Sequence, residues 1–252
     1  MHSKKIVILV SLIFLIPLVL FLILDNISRF APDKPPKDFL IQSNFVDINK
    51  IDFISKYRSC QGHVQVPRFS SERSNMKHYF YVKKEFLNSN DQVEIKAPFG
   101  GRLLFMPTGE IFLFPASDSV IFPLTQWFLD FDHTKKLASL KNWQSVKKGD
   151  VIAYFDPSKG STAFDVLVAV LGIPPRNIDN WTSPFEKLGS VFNYMSDSVF
   201  AEYKRGKAEN RSDYIISKDF RDAHPCVYEN GGPQFAHTEG ANDTIYFTKE
   251  RH

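Results

Sequence analysis

The groups in this chain best suited to hold a metal or move a proton are histidines and carboxylates, and they are sparse. Seven histidines occur in 252 residues. His63, His78 and His133 lie on or beside segments that read as strands, and so do Asp132 and Asp165. Three such side chains converging around an open fourth position would make a zinc site able to polarise water. Spread over separate strands, the same residues are ordinary polar positions, and that is the plainer reading. His224 and His237 fall in a polar C-terminal stretch and read as surface residues. No G-x-S-x-G turn is present to expose a serine nucleophile. Arg68, Arg73, Lys77 and His78 make a basic loop that could take an anion; a solvated positive loop explains them more simply.

Two cysteines, Cys60 and Cys226, stand near either end of the part that should fold. In an oxidising compartment they would pair, closing a long loop worth ~5 kcal/mol in chain entropy. Two buried free thiols are the alternative.

The elements that must position these residues are short strands punctuated by Gly and Pro. Strands are predicted over 78–82, 93–97, 102–106, 110–114 and 151–155, with an aromatic strand ending at His133. Residues 164–173 are almost continuously apolar and β-branched, which predicts a buried strand, the last of the core. The period then changes. Ser183, Pro184 and Glu186 read as a helix start, and Phe185, Leu188, Phe192, Met195, Val199 and Tyr203 recur at three and four. This predicts an amphipathic helix of about 20 residues, ended by Gly206 and docked on the sheet.

In order and spacing, three of these pieces resemble the M23 (lysostaphin-like) peptidases of the barrel-sandwich hybrid fold. They are the strand and turn at 93–102, the aromatic strand Trp127-Phe128-Leu129-Asp130-Phe131-Asp132-His133, and the turn Val146-Lys147-Lys148-Gly149-Asp150-Val151-Ile152. The resemblance covers roughly residues 60–170. It implies a mainly β core and a zinc centre built from an H-x-x-x-D motif and a late H-x-H. His63 would stand at the first ligand, but Pro67 replaces the Asp four residues on, and Pro has no donor atom. Asp165 and Leu167 fall where the H-x-H should be. His133 matches the histidine that follows the aromatic strand. The resemblance therefore implies a groove lined by His63, His78, His133 and Asp165 with a dismantled zinc site, no resident cofactor, and a binding or scaffolding role toward cell-envelope glycan or a protein. A zinc hydrolase with a rearranged ligand set is the alternative. An efflux-adaptor role comes third, disfavoured because 106–146 leaves no room for a long helical hairpin.

Residues 6–24 are apolar apart from Ser11 and Pro17, preceded by Lys4 and Lys5, and long enough for one bilayer crossing. The positive-inside rule then puts 1–5 in the cytoplasm and the body outside. A cleaved signal peptide is the competing reading. The expected organisation is an anchor at 6–24, a Pro-rich linker at 25–50, a β domain at 51–173, and a C-terminal helix with a polar tail at 174–252. Asn26, Asn180, Asn210 and Asn242 begin N-x-S/T triplets, which would matter as glycosylation sites only in a eukaryotic secretory route. The net charge of +3 owes two units to Lys4 and Lys5, and no basic stripe with interleaved aromatics points to nucleic acid. The 24 phenylalanines read as core filling.

Overall fold

The computed structural model describes residues 15–20, 22, 33–67, 70–116, 126–172, 185–204, 208–229, 232–236 and 243–247. Twelve strands lie among them. They are β1 (Ile51–Ser55), β2 (His78–Val82), β3 (Glu94–Lys96), β4 (Gly101–Phe105), β5 (Ile111–Pro115), β6 (Trp127–Asp132), β7 (Thr134–Lys136), β8 (Ser145–Val146), β9 (Val151–Phe155), β10 (Ala163–Leu171), β11 (Phe185–Gly189) and β12 (Thr244–Tyr246). Nine form one antiparallel sheet in the order β12-β1-β2-β10-β6-β5-β4-β8, with β11 added beside β10. A second sheet has the order β3-β9-β7.

The mainly β expectation agrees with this architecture. The predicted strands 78–82 and 151–155 coincide with β2 and β9, and the others shift by a residue or two. The reason is local: alternation and Gly/Pro punctuation specify short strands without help from the rest of the chain. The apolar run after Ser161 is a buried strand as expected, but not the last one: β11 and β12 follow it in the chain, and it lies inside the large sheet. β10 pairs with β2 through 163–166, with β6 through 165–170, and with β11 through 168–171. A central strand is covered on both faces, which is why its sequence is apolar apart from Asp165.

The two sheets share one core. Phe80, Leu113, Leu129, Phe131, Phe164 and Val166 of the large sheet and Ile95, Ile152 and Ala153 of the small one belong to the same buried cluster. Fully burying each of these side chains except Ala153 is worth ~1.5–3 kcal/mol. Chain segments cross between the sheets at tight corners. His133, at φ 57°, makes the corner between β6 in the large sheet and β7 in the small one. At Gly101 the backbone runs so close to β5 that a Cβ would overlap the Phe114 carbonyl oxygen.

Three expectations need correction. The 20-residue helix does not form over 185–203. Phe185–Gly189 is β11, Val191–Tyr194 is a 3-10 turn, and only Asp197–Tyr203 is helical (α1), with Ser196 Oγ accepting the Val199 amide. β2 pairs with β10 only as far as Val166, leaving the backbone groups of 168–171 on that edge to be satisfied; β11 satisfies them. The apolar stripe itself is real: Phe192, Met195, Val199 and Tyr203 are buried.

The stretch expected as a linker is core from Phe39 onward. Phe39, Ile41, Phe45, Val46 and Ile48 are buried, and Ile41 exchanges backbone hydrogen bonds with Tyr194 and Ser196. Residues 33–36, the described part of the Pro-rich run, are exposed or half-buried. Finally, Lys77 is not a solvated loop residue, as described below.

A second short helix, α2 (Lys218–Ala223), is held by a Ser217 cap. Cys60 and Cys226 are joined in a disulfide across 166 residues. Beside it the buried Arg221 donates to Asp243 Oδ1 at 3.1 Å and to the Arg58 carbonyl, while Asp243 accepts the Cys60 amide. Among the described residues no helix is long and apolar enough to cross a membrane. Residues 15–20 and 22 are helical and exposed, and the rest of the 6–24 run lies outside the described residues. So do Asn26, Asn180, Asn242, Gly206 and His237, whereas Asn210 is exposed ahead of a 3-10 turn.

Candidate functional site

Side chains alternate across a strand, so each face of the large sheet can be read from its register. Phe164, Val166 and Val168 of β10 point into the shared core. Asp165, Leu167 and Ala169 therefore point to the other face. Asp165 lies opposite Tyr79 of β2 and opposite Asp132 of β6. One line across three central strands thus carries Tyr79, Asp165 and Asp132. His133 follows Asp132 at the corner, and Lys77 is two residues before Tyr79 on the same face.

The centre of the site is the Lys77 ammonium. Nζ donates to Asp165 Oδ2 at 2.8 Å and to His63 Nε2 at 3.1 Å, and lies 5.0 Å from the centre of the Tyr79 ring. His133 Nε2 is 3.7 Å from the same Asp165 oxygen and 3.9 Å from Asp132 Oδ2. Lys77 and Asp165 are buried, at 4 % and 1 % side-chain exposure, while His133 and Asp132 reach solvent at 29 % and 25 %. The site is a buried ion pair with a half-open histidine–carboxylate mouth.

An ammonium can only donate, so His63 Nε2 must accept; its Nδ1 then carries the hydrogen and donates to the Val64 carbonyl at 3.0 Å. Burial, and then the Lys77 charge, lower the His63 imidazole to about 4, so it is neutral at pH 7. Burial pulls the Lys77 amine down, but Asp165 and its other neighbours outweigh that and leave it raised, hence charged. Burial pushes the Asp165 carboxyl up against the opposing pull of Lys77. The two partners' tendencies conflict over where the proton resides; the ion pair is the consistent state, because the amine holds its proton and sits 2.8 Å from the carboxylate.

Asp130 is two residues before Asp132 on the same face and opposite Leu167. It is buried, its Oδ1 has no hydrogen-bond partner, and burial followed by the Asp165 and Asp132 charges raise its carboxyl well above the ordinary range. It is held neutral. Next to this polar centre the face turns apolar: Leu167 packs with Phe112, Phe114, Phe128, Ala169 and Phe185.

His63 is placed by the C-terminal stretch. Val64 donates to the Pro233 carbonyl at 2.9 Å and Phe235 to the Gly62 carbonyl at 2.8 Å, so 62–64 is paired with 233–235. Gly62 has φ 70°, and a Cβ there would run into the Tyr79 ring.

Of the four residues expected at the groove, His63, His133 and Asp165 come together and His78 does not. His78 is on the core face of β2, opposite in sense to Lys77 and Tyr79. Its Nδ1–H donates to the Ser55 carbonyl and its Nε2 accepts from Ser190 Oγ, both at 2.8 Å. It is a structural histidine, lowered to about 4 by burial against the opposing backbone bond. The physical reason is the period of two: His78 and Lys77 are neighbours in sequence and lie on opposite faces. Lys77 was missed as a site residue because a Lys next to Arg68 and Arg73 reads as surface. Its spacing of two from Tyr79 and four from Tyr81, on the face opposite Phe80, was the available signal. Arg73 is exposed and stacks over Tyr228, Arg68 lies outside the described residues, and His224 is exposed against Phe220.

The zinc that the M23 resemblance implies can be tested against these residues. Pro67 and Leu167 have no donor atoms, and Leu167 is buried among aromatics. The contact that His63 and Asp165 would each offer to a metal is already made to an ammonium. Among the described residues, Asp132, His133 and Asp165 are the one group of three or more such side chains with ligand atoms within 4.8 Å of one another. The donors that the resemblance calls for at 67 and 167 are therefore missing.

No protein-family model and no curated protein matches the sequence. Among solved structures, the deep-sea M23 metalloprotease pseudoalterin is similar at 11 % identity and TM-score 0.31, over 54 % of this chain and 93 % of that one. Helicobacter pylori Csd3 is similar at 15 % identity and TM-score 0.31, over 56 % of this chain and 37 % of that one. Likenesses at this score do not bear on the site, whose reading rests on its own geometry.

Proposed function

We propose that this chain is a bilayer-anchored, extracytoplasmic domain with an M23-like core of the barrel-sandwich hybrid type that binds without cleaving, using the half-open mouth beside His133. The observation that carries the reading is the Lys77–Asp165 ion pair at 2.8 Å in the middle of the donor set. A hydrolytic metal centre needs an open cationic position, and here a side chain of the protein fills it. Asp132 and the outer edge of His133 remain accessible and can hydrogen-bond hydroxyl and amide groups. A cell-envelope glycan offers both kinds of group, and this is the ligand class we assign. The disulfide supports a body outside the cytoplasm, and the apolar run at 6–24 supports the anchor.

The competing zinc-hydrolase reading draws on the proximity of Asp132, His133 and Asp165. The adaptor reading has no observation in its favour: the described part of 106–146 is strands and short loops. One assay separates binding from hydrolysis. The full chain, purified in detergent, is mixed with insoluble peptidoglycan, and both sedimentation and soluble fragments are followed. The expected result is co-sedimentation with no fragments released. Replacing Asp132 and His133 by Ala should weaken it about tenfold, or ~1.4 kcal/mol. Zinc-dependent release of fragments would establish the hydrolase, and absence of co-sedimentation would exclude the glycan.

A further inference from the structure

We infer that the side of the domain where the chain enters from the apolar 6–24 run rests on an anionic bilayer surface, with Trp143 and Leu40 set into the interface and Lys147 and Lys148 on the headgroups. The inference rests on the anchored reading above and adds a second contact with the membrane, one that fixes how the domain stands on it.

Three observations carry it. The first is the tether. Asp33 is nine residues after Leu24, a reach of at most ~30 Å, and it is already held to the domain by Lys187 of β11 at 2.8 Å. From there the Lys37–Phe39 turn packs against β5. The Ile41 amide donates to the Tyr194 carbonyl at 2.8 Å, and the Gln42 amide to the Pro98 carbonyl at 3.1 Å. So short a tether turns the side that carries 33–42 toward the membrane.

The second is the charge on that side. Lys148 Nζ reaches Gln42 Oε1 at 3.5 Å, so the turn at 147–150 lies beside the entering chain. Lys34, Lys37, Lys147 and Lys148 are exposed there. Against them stand Asp33, already paired with Lys187, Asp38, and Asp150, whose carboxylate accepts the Lys147 amide. Lysines close to an anionic bilayer surface are attracted to it over about a Debye length.

The third is Trp143. Outside the 15–22 segment, the large apolar side chains exposed among the described residues are Leu40, Trp143, Phe220, Val227 and Tyr246. Two of the five adjoin the entering chain. Leu40 lies two residues before Gln42. Trp143 lies four before Lys147, with its ring 5.8 Å from Phe114 near the end of β5. Trp143 has φ 63°, a conformation that bulky residues rarely adopt, and it is 38 % exposed. An apolar ring with a single N–H donor is best placed at the boundary between headgroups and acyl chains. β8 is an edge strand, where lysines alone would serve to keep other chains from pairing. An exposed tryptophan works against that purpose, and a bilayer surface takes both.

An orientation follows. β6 starts at Trp127, whose ring lies 6.2 Å from that of Tyr194 on the entering side, and it ends at Asp132. Docking this side therefore points the mouth beside His133 away from the bilayer.

The test uses the full chain in vesicles of zwitterionic lipid, with and without phosphatidylglycerol, whose acyl chains carry bromine to quench tryptophan on contact. Trp127 is 3 % exposed and Trp181 is common to all variants, so the difference between wild type and Trp143→Phe reports Trp143. Trp143 should be quenched in the vesicles that contain phosphatidylglycerol. Lys147→Gln and Lys148→Gln should each shift the docked-to-free ratio about fivefold toward free, and high salt should act in the same direction. Quenching that is unchanged in Trp143→Phe, or that ignores salt, the lysines and phosphatidylglycerol, would overturn the inference. So would an unquenched Trp143 whose emission shifts with soluble heparin, which would give the surface to an anionic polymer. An alkaline wash separates the failures. A chain stripped from the vesicles sinks the anchored reading and this one with it; a retained chain with Trp143 unquenched sinks this inference alone.

Discussion

His78 and Lys77 are adjacent in sequence, and the pleat sends one into the core and the other into the site. Their fates define the residue-scale predictions. His78 is lowered to about 4 by burial, against ~6.5 in an unfolded chain. Between these values the unfolded chain binds the extra proton. Stability is therefore complete above ~6.5 and falls as pH drops toward 4, by ~1.4 kcal/mol per pH unit. His63, also lowered to about 4, adds a similar share in the same window. Urea unfolding between about pH 7 and 4 should show the combined slope, and His78→Gln should remove about half of it. An unchanged slope in that variant would mean that His78 is not the neutral buried group described. At the site, Asp165→Asn leaves the buried Lys77 ammonium without its counter-charge, an expected loss of ~3–5 kcal/mol measured by the same unfolding.

Elements in this protein are decided by what their neighbours leave unsatisfied. Residues 185–189 have the apolar spacing of a helix, and they form β11 because β10 presents an open edge at 168–171. Pairing along that edge satisfies backbone groups that a surface helix would leave to water or bury unmade. The turn into β4 shows the reverse case, where one residue permits the element. Gly101→Ala pushes a Cβ into the Phe114 carbonyl, and the strand pair β4–β5 must separate to admit it. The expected cost is ~1–3 kcal/mol, read as a lower denaturation midpoint with an unchanged far-UV spectrum. A variant as stable as wild type would show that the two strands are not this closely packed.

For the whole molecule, the Cys60–Cys226 disulfide is the bond that makes the C-terminal stretch part of the domain. It closes a loop of 166 residues, for which the chain-entropy estimate is ~5 kcal/mol. It also anchors 233–235 against 62–64, the pairing that presents His63 to Lys77. Replacing both cysteines by Ser should therefore act in two places. Global stability should fall by up to ~5 kcal/mol. Amide exchange at Val64 and Phe235 should speed up more than exchange at the β10 amides, which are held within the central sheet. Equal acceleration at both would place the disulfide's effect in the unfolded chain alone.

The sequence by itself determined what depends on local order. Strands β2 and β9 were legible to the residue, because alternation and Gly/Pro punctuation act over a few positions. The disulfide was legible because only two cysteines exist to pair. His63, His133 and Asp165 were legible as candidates from residue type and from the family likeness. Only the tertiary structure decided the rest. It drew 39–48 into the core, turned a helical stripe into a strand, put His78 out of the groove, and set a lysine at the point where the donors meet. Each of these depends on a partner distant in the chain: an unpaired sheet edge, an apolar surface needing cover, a carboxylate 88 residues away. Side-chain period says which face a residue occupies, but not what stands opposite it.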